Sequence, residues 1–140
     1  MTDRTATTNW EGGLSDGKGQ TSLDSSGAGT FDVSWASRTE SPNGQTSPEE
    51  LLAAAHASCF SMALSKQIGD TGATPQRLET TATVSLDAGS ITKVALKVRA
   101  SVDGLDESGL KSAAQAAKDG CPVSKLFGGN AEITLDAALS

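Results

Sequence analysis

Ser47-Pro48-Glu49-Glu50-Leu51-Leu52-Ala53-Ala54-Ala55-His56-Ala57-Ser58-Cys59-Phe60-Ser61-Met62-Ala63-Leu64 is the stretch whose reading decides the fold. It opens on a helix start. Ser47 is a good N-cap, Pro48 suits the first helical position, and Glu50 three residues after Ser47 makes an S-x-x-E capping box. Leu51, Leu52, Ala55, Cys59, Met62, Ala63 and Lys66 then recur at helical spacing, with Phe60 and Leu64 on other faces. A helix apolar on all sides is buried on several of them, so the spacing predicts a buried central helix carrying Cys59.

Working outward, a polar loop over residues 39–47 precedes the helix, with Pro42-Asn43-Gly44 as its turn. Before the loop, Thr5–Trp10, Gln20–Asp24 and Thr30–Ser37 read as three short strands. They are separated by the turn-like clusters Ser15-Asp16-Gly17 and Ser25-Ser26-Gly27. After the helix, three runs alternate with period two: Leu78 to Leu86, Val94 to Val102 and Ile133 to Leu139. A second helix spans about Asp106 to Asp119, with Leu110, Ala113, Ala114 and Ala117 facing inward and Gly120 at its C-terminal cap. The order β-β-β-α-β-β-α-β is that of an α+β fold.

With 140 residues the chain is the size of one domain, read as spanning 1–140. Its net charge of −6 argues against a nucleic-acid partner, because a phosphate backbone needs a basic face. Met1 to Trp10 has no apolar core of a signal peptide, and the longest mostly apolar stretch, Leu51 to Leu64, is too short to span a bilayer. The expectation is a cytoplasmic protein with no membrane partner. Leu, Val, Ile and Phe supply only 25 of the residues. That thin allotment is explained if the core is completed against a second copy.

In a reducing compartment two cysteines point to redox or metal chemistry rather than to a structural staple. Cys59 lies mid-helix, where a lone Cys is a small core hydrophobe. Cys121 directly precedes Pro122, which places it at the N-cap of a short helix through Leu126, and helix N-termini favour thiolates. Sixty-two positions separate the two, and spacing alone does not bring them together. A reactive thiol must be a thiolate. Cys59, far from its helix N-terminus, needs a cation, and of Arg4, Arg38, Arg77 and Arg99, Arg38 sits between a strand and a polar loop where functional side chains gather. His56 and Cys59 share a helix face, and with Cys121 they offer two Cys and one His to a zinc ion; a core-packed His is the simpler reading. Gly13-Leu14-Ser15-Asp16-Gly17 matches G-x-S-x-G but lies between two short strands, so it reads as a hairpin turn; Gly17-Lys18-Gly19 lacks the third glycine of a phosphate loop.

The Ser47–Leu64 stretch resembles the central-helix motif of the OsmC/Ohr family, the osmotically inducible and organic hydroperoxide resistance proteins. Cys121-Pro122-Val123-Ser124 resembles its second-cysteine motif, and Ala131-Glu132-Ile133-Thr134-Leu135-Asp136 its last strand. Trp10-Glu11-Gly12 and Gly17-Lys18-Gly19 resemble its first hairpin. His56, where the Ohr branch tends to carry an aromatic, and the late Arg38 place the resemblance in the OsmC branch. It implies an intertwined homodimer with active sites at the subunit interface and a thiol peroxidase acting on organic hydroperoxides, less well on hydrogen peroxide. In that reading Cys59 becomes a sulfenic acid, Cys121 condenses with it to a disulfide, and an external dithiol of the dihydrolipoyl type reduces the disulfide. Arg38 holds the Cys59 thiolate and Glu49 orients Arg38. No metal, haem or flavin is called for. Leu51, Leu52, Phe60, Met62 and Phe127 are the candidate apolar wall for the substrate.

One expectation comes from helix geometry. Glu49 and Cys59 are ten residues apart, about 15 Å of rise and roughly 80° of azimuth. A single arginine barely bridges both within a chain, so Glu49 and Arg38 are expected to serve Cys59 of the partner subunit. Three other functions compete: a redox sensor or small-ligand module that does not turn over, a zinc hydrolase using His56, Cys59 and Cys121, and a purely structural protein.

Overall fold

The computed structural model describes residues 1–140 and has the order β-β-β-α-α-β-β-α-α-β. The α+β class is as the sequence pattern implies. The chain forms two compact units, Met1–Leu51 and Leu52–Ser140.

In the first unit β1 (Thr7–Glu11), β2 (Lys18–Ser22) and β3 (Thr30–Val33) form an antiparallel meander, with Trp10 opposite Gly19 and Thr21 opposite Phe31. The glycines of Gly17-Lys18-Gly19 seat an indole. A Cβ on Gly19 would stand 2.8 Å from the Trp10 ring, and one on Gly17 2.9 Å from it and 2.2 Å from the Gly13 carbonyl. The third strand is shorter than the run Thr30–Ser37 suggests. It stops at Val33, and Trp35–Thr39 is a helical turn, α1. The reason is local: Ser34 and Ser37 make a reciprocal capping box, each side chain accepting from the other's amide at 3.1 and 3.0 Å. The Ser37 hydroxyl also donates to the Thr46 carbonyl at 2.9 Å, tying α1 to the far side of its loop. That loop turns at Asn43 and Gly44, both at positive φ. Among large apolar side chains this unit buries none; Trp10, Leu14, Phe31 and Trp35 are all exposed.

Helix α2 (Pro48–Asp70) begins where the capping signal places it, and the Glu50 amide donates to Ser47 Oγ at 3.2 Å. The Glu50 carboxylate accepts from Thr46 rather than from the cap amide. Its first turn belongs to the first unit and the remainder to the second. The helix is not buried all round. The buried stripe is His56, Phe60, Leu64 and Ile68, one residue per turn, whereas Ala54, Ala55, Ser58, Met62 and Lys66 are exposed. Two apolar stripes compete in an alanine-rich helix, and packing selects the one with the larger side chains.

The second unit is a three-stranded sheet with helices on one face. β4 (Pro75–Asp87) and β5 (Ser90–Val102) form a long antiparallel hairpin, and β6 (Glu132–Leu139) lies parallel to β5. A parallel neighbour requires a crossover. Here α3 (Glu107–Gly120) and α4 (Pro122–Phe127) supply it. Val94, Leu96, Val98 and Ala100 alternate inward along β5. Leu96, Val98 and Ala100 pack in one core with Phe60, Leu64 and Ile68 of α2 and Leu110, Ala113, Ala114 and Ala117 of α3. Alanines on α3 let that helix approach the sheet closely, which is how so few large side chains fill the layer. No helix is long and apolar enough to cross a membrane.

Candidate active site

Two constellations hold the candidate residues, one in each unit. In the first, Arg38 projects from the last turn of α1 and Glu49 from the first turn of α2. Arg38 Nε donates to Glu49 Oε1 at 3.0 Å and Oε2 at 3.2 Å, and Nη2 donates to Oε1 at 2.8 Å. The fork leaves Nη1 without a hydrogen bond inside the chain. Glu49 is 7% exposed, so its carboxylate is a fixed anchor for the guanidinium.

Arg38 also lines a cavity of about 420 Å³ with Trp10, Leu14, Val33, Trp35 and Leu51. Both tryptophans of the chain face it, and sequence reasoning missed them. The available signal was composition: the only two indoles flank strand ends beside the arginine. Of the five side chains expected to wall a substrate, Leu51 lines this cavity. Phe60 is spent on the core of the second unit, and Phe127 is buried and stacked on His56. Leu52 is half-buried, and Met62, two residues past Phe60 and so about 200° round the helix, is 73% exposed.

The second unit brings the cysteines together. Cys59, half-buried on α2, and Cys121, fully buried between α3 and α4, are free thiols with sulfurs 2.9 Å apart. A disulfide requires about 2.05 Å. Cys121 serves as both the C-cap of α3 and the N-cap of α4, as the Cys-Pro step implies. The two thiols are not equivalent. Burial and the hydrogen bond with Cys121 push the Cys59 thiol up, against one lowering contact from the Val123 amide. Burial alone would push Cys121 up too. The polar groups of Val123 and Ser124 at the start of α4, together with the Cys59 contact, outweigh it and take Cys121 below its ordinary value. Across that contact Cys121 Sγ donates to Cys59 Sγ.

His56 is a buried core histidine, as the simpler reading has it. Its Nε2 pairs with Ser124 Oγ at 2.8 Å, and burial takes its imidazole below the usual value. No group of three His, Cys, Asp or Glu side chains is arranged to hold a metal ion.

Residues 41–136 match the family model described as OsmC-like protein. The chain is 48% identical over 134 residues to Peroxiredoxin OsmC of Escherichia coli (strain K12), covering 93% of this chain and 92% of that one. It is 37% identical over 98 residues to the organic hydroperoxide resistance protein OhrA of Bacillus subtilis (strain 168), covering 66% and 67%. Among solved structures, the organic hydroperoxide resistance protein OhrB of Bacillus subtilis superposes with a TM-score of 0.75 at 28% identity, over 96% of this chain and 98% of that one. With the paired cysteines and the α+β architecture already in place, these likenesses identify the chain as a member of the OsmC-like family.

Proposed function

We propose that this chain reduces organic hydroperoxides to alcohols through Cys59 and Cys121. The enzyme is a cysteine-based peroxidase, and the observation that carries the chemistry is the meeting of two free thiols 2.9 Å apart across 62 positions of sequence. The Cys59 thiolate attacks one oxygen of the hydroperoxide. An S–O bond forms, the O–O bond breaks, and the expelled alkoxide takes a proton to leave as the alcohol. Cys121 then attacks the Cys59 sulfenic acid, the disulfide forms and water leaves, which protects Cys59 from further oxidation. An external dithiol returns both thiols.

For the first step Cys59 must become the thiolate, against the burial that pushes its thiol up. A guanidinium set against Cys59 does this and also stabilises the departing alkoxide. We assign it to Arg38, held by Glu49 and supplied to Cys59 of the partner subunit in a homodimer. The exposed apolar side chains support that assembly: the first unit buries no large apolar residue, and α2 shows Ala54, Ala55 and Met62 to solvent. The indole-lined cavity beside Arg38 suits the tail of an organic hydroperoxide, with its polar head at the free edge of the guanidinium. We place the reaction in the cytoplasm, where dithiol reductants are maintained.

The test mixes reduced protein with a stoichiometric amount of cumene hydroperoxide, with hydrogen peroxide in parallel, and counts free thiols against time. Both thiols are expected to disappear within seconds, faster with the organic peroxide, and neither in Cys59→Ser. Thiols that persist for many minutes refute the peroxidase and favour the non-catalytic redox module.

A further inference from the structure

Helix α4 is six residues long and is attached to the fold by one narrow face. With its N-cap included, the buried residues are Cys121, Ser124 and Phe127, spaced three apart, while Pro122, Lys125 and Leu126 are exposed. Each of the three meets α2. Cys121 Sγ donates to Cys59 Sγ at 2.9 Å, and Ser124 Oγ stands 2.8 Å from His56 Nε2. The Phe127 ring stacks on the His56 imidazole with centroids 5.3 Å apart. His56 and Cys59 are themselves three apart on one face of α2. The two helices therefore meet in two rungs, sulfur to sulfur and imidazole to hydroxyl.

Packing alone does not call for the second rung. His56 is fully buried and its Nδ1 has no partner, so Ser124 supplies the one hydrogen bond its ring makes. An apolar side chain at this position would bury its area without leaving a polar atom unpaired. What the imidazole adds is direction: Nε2 is fixed on one hydroxyl and the ring face on one phenyl group. We propose that His56 is a positioning residue that, through Ser124 and Phe127, keeps α4 docked on α2 so that Cys121 stays within reach of Cys59 during the resolving step.

The purpose of this clamp rests on the peroxidase reading. Once Cys59 carries a sulfenic oxygen, the thiol-to-thiol rung no longer exists in its resting form, and the sulfurs must close from 2.9 Å to about 2.05 Å. The Cys121 sulfur attacks the Cys59 sulfur, an S–S bond forms and the S–O bond breaks. The departing hydroxide takes the Cys121 thiol proton and leaves as water. The rate of this step scales with the fraction of molecules in which α4 is docked. The same fraction scales the equilibrium between the cysteine pair and an external disulfide, because the pair can bridge only when docked. Sulfenic acid formation at Cys59 does not use Cys121 and is independent of it. Removing one net hydrogen bond from the clamp sets a ceiling of about fivefold on the loss.

The deciding experiment equilibrates the two-cysteine protein with glutathione redox buffers and counts the Cys59–Cys121 disulfide by intact mass. In parallel, cumene hydroperoxide is added and the sulfenic acid and disulfide steps are timed separately. Ser124→Ala, and His56→Phe, which keeps the stack without the hydrogen bond, should each lower the disulfide equilibrium and the disulfide rate by roughly three- to fivefold and leave sulfenic acid formation unchanged. The double variant should lose no more than either single one, since the two residues act through one bond. Ser124→Thr, which returns the hydroxyl, should recover most of the loss. Ile68→Val, further along the same buried stripe, should lower Tm and move neither quantity. The rate loss should also be uniform along the pH profile. An unmoved equilibrium in Ser124→Ala, additive losses in the double variant, or a displaced pH midpoint with an unchanged plateau overturns the clamp. Should His56→Phe fail to fold, the comparison of Ser124→Ala with Ser124→Thr decides alone. If the protein proves to consume no peroxide, the proposed function falls while the glutathione equilibrium still decides the clamp.

Discussion

Replacing Glu49 by glutamine isolates what the carboxylate does for Arg38. The wild-type fork makes three donor–acceptor contacts of 2.8–3.2 Å on an anchor that is itself buried. The Arg38 side chain is 34% exposed, so solvent screens much of the Coulombic attraction and fold stability depends little on it. The contribution to function is of a different kind. A free arginine side chain carries about 2 kcal/mol of rotamer entropy, which the fork removes before substrate arrives. Glutamine keeps a single acceptor and no charge, so most of that ordering must then be supplied at the transition state. A deficit of about 2 kcal/mol is roughly a thirtyfold fall in kcat/KM. The assay is steady-state reduction of cumene hydroperoxide with a dithiol, alongside thermal unfolding to show that Tm moves by no more than a few degrees. Arg38→Ala is the reference and should lose more, on the order of 100–1,000-fold, because it removes the proposed charge stabiliser itself. If Glu49→Gln stays within about threefold of wild type, Arg38 is positioned by something else and the orienting role is wrong. If it falls as far as Arg38→Ala, the carboxylate does more than orient.

Three further outcomes are expected. Ala88 stands at φ 49° beside Gly89 in the two-residue turn joining β4 and β5, a left-handed conformation that asparagine tolerates and alanine does not; Ala88→Asn should raise stability by about 1 kcal/mol, read as a Tm gain of roughly 3 °C. Because burial holds the folded His56 imidazole below its unfolded value of 6.5, the folded state binds fewer protons than the unfolded one, and the associated stability is present above pH 6.5 and lost as pH falls below it. Urea midpoints between pH 8 and pH 5 should show this acid limb in wild type and not in His56→Gln, and equal limbs would refute it. Met62→Lys places a charge on the exposed face of α2 that the proposed dimer would cover twice, so dissociation should strengthen at least a hundredfold, with activity lost in step; an unchanged sedimentation coefficient would rule that face out of the dimer.

What was legible in the sequence was what depends on near neighbours in the chain. The Ser47 cap, the Cys121-Pro122 helix start and the alternation of β4, β5 and β6 are each decided within a few residues, and each stands in the structure where the pattern puts it. Helix α1 was missed although its signal is equally local, because Ser34 and Ser37 interrupt a run containing Phe31, Val33 and Trp35 that also reads as a strand. The phase of α2 was harder for a different reason. In a helix with this many alanines two stripes score alike, and the buried one contains His56, which looks like an interruption until Ser124 is seen to satisfy it from 68 positions away. The cysteine pair has the same character: its chemistry was readable from residue type, its contact only from the fold.

The thin supply of large apolar side chains has two causes that the structure separates. In the second unit it reflects economy, since alanines on α3 bring helix and sheet close enough for three side chains of α2 to close the layer. In the first unit it reflects incompleteness. Trp10, Leu14, Phe31 and Trp35 are present and exposed, around the cavity beside Arg38 or near it, while the residues that unit does bury are Gly19, Thr21, Ser37 and Glu49. A meander with no apolar core of its own, carrying a rigid arginine fork and an indole-lined hollow, gains little by folding unless another surface covers it. The sulfur pair needs a cation for Cys59, the arginine fork needs an anion for Nη1, and the exposed indoles need cover. One assembly, the arginine fork of one subunit set over the Cys59 of its partner, meets all three requirements at once. That coincidence is the physical argument for the proposal that the site is shared between two copies.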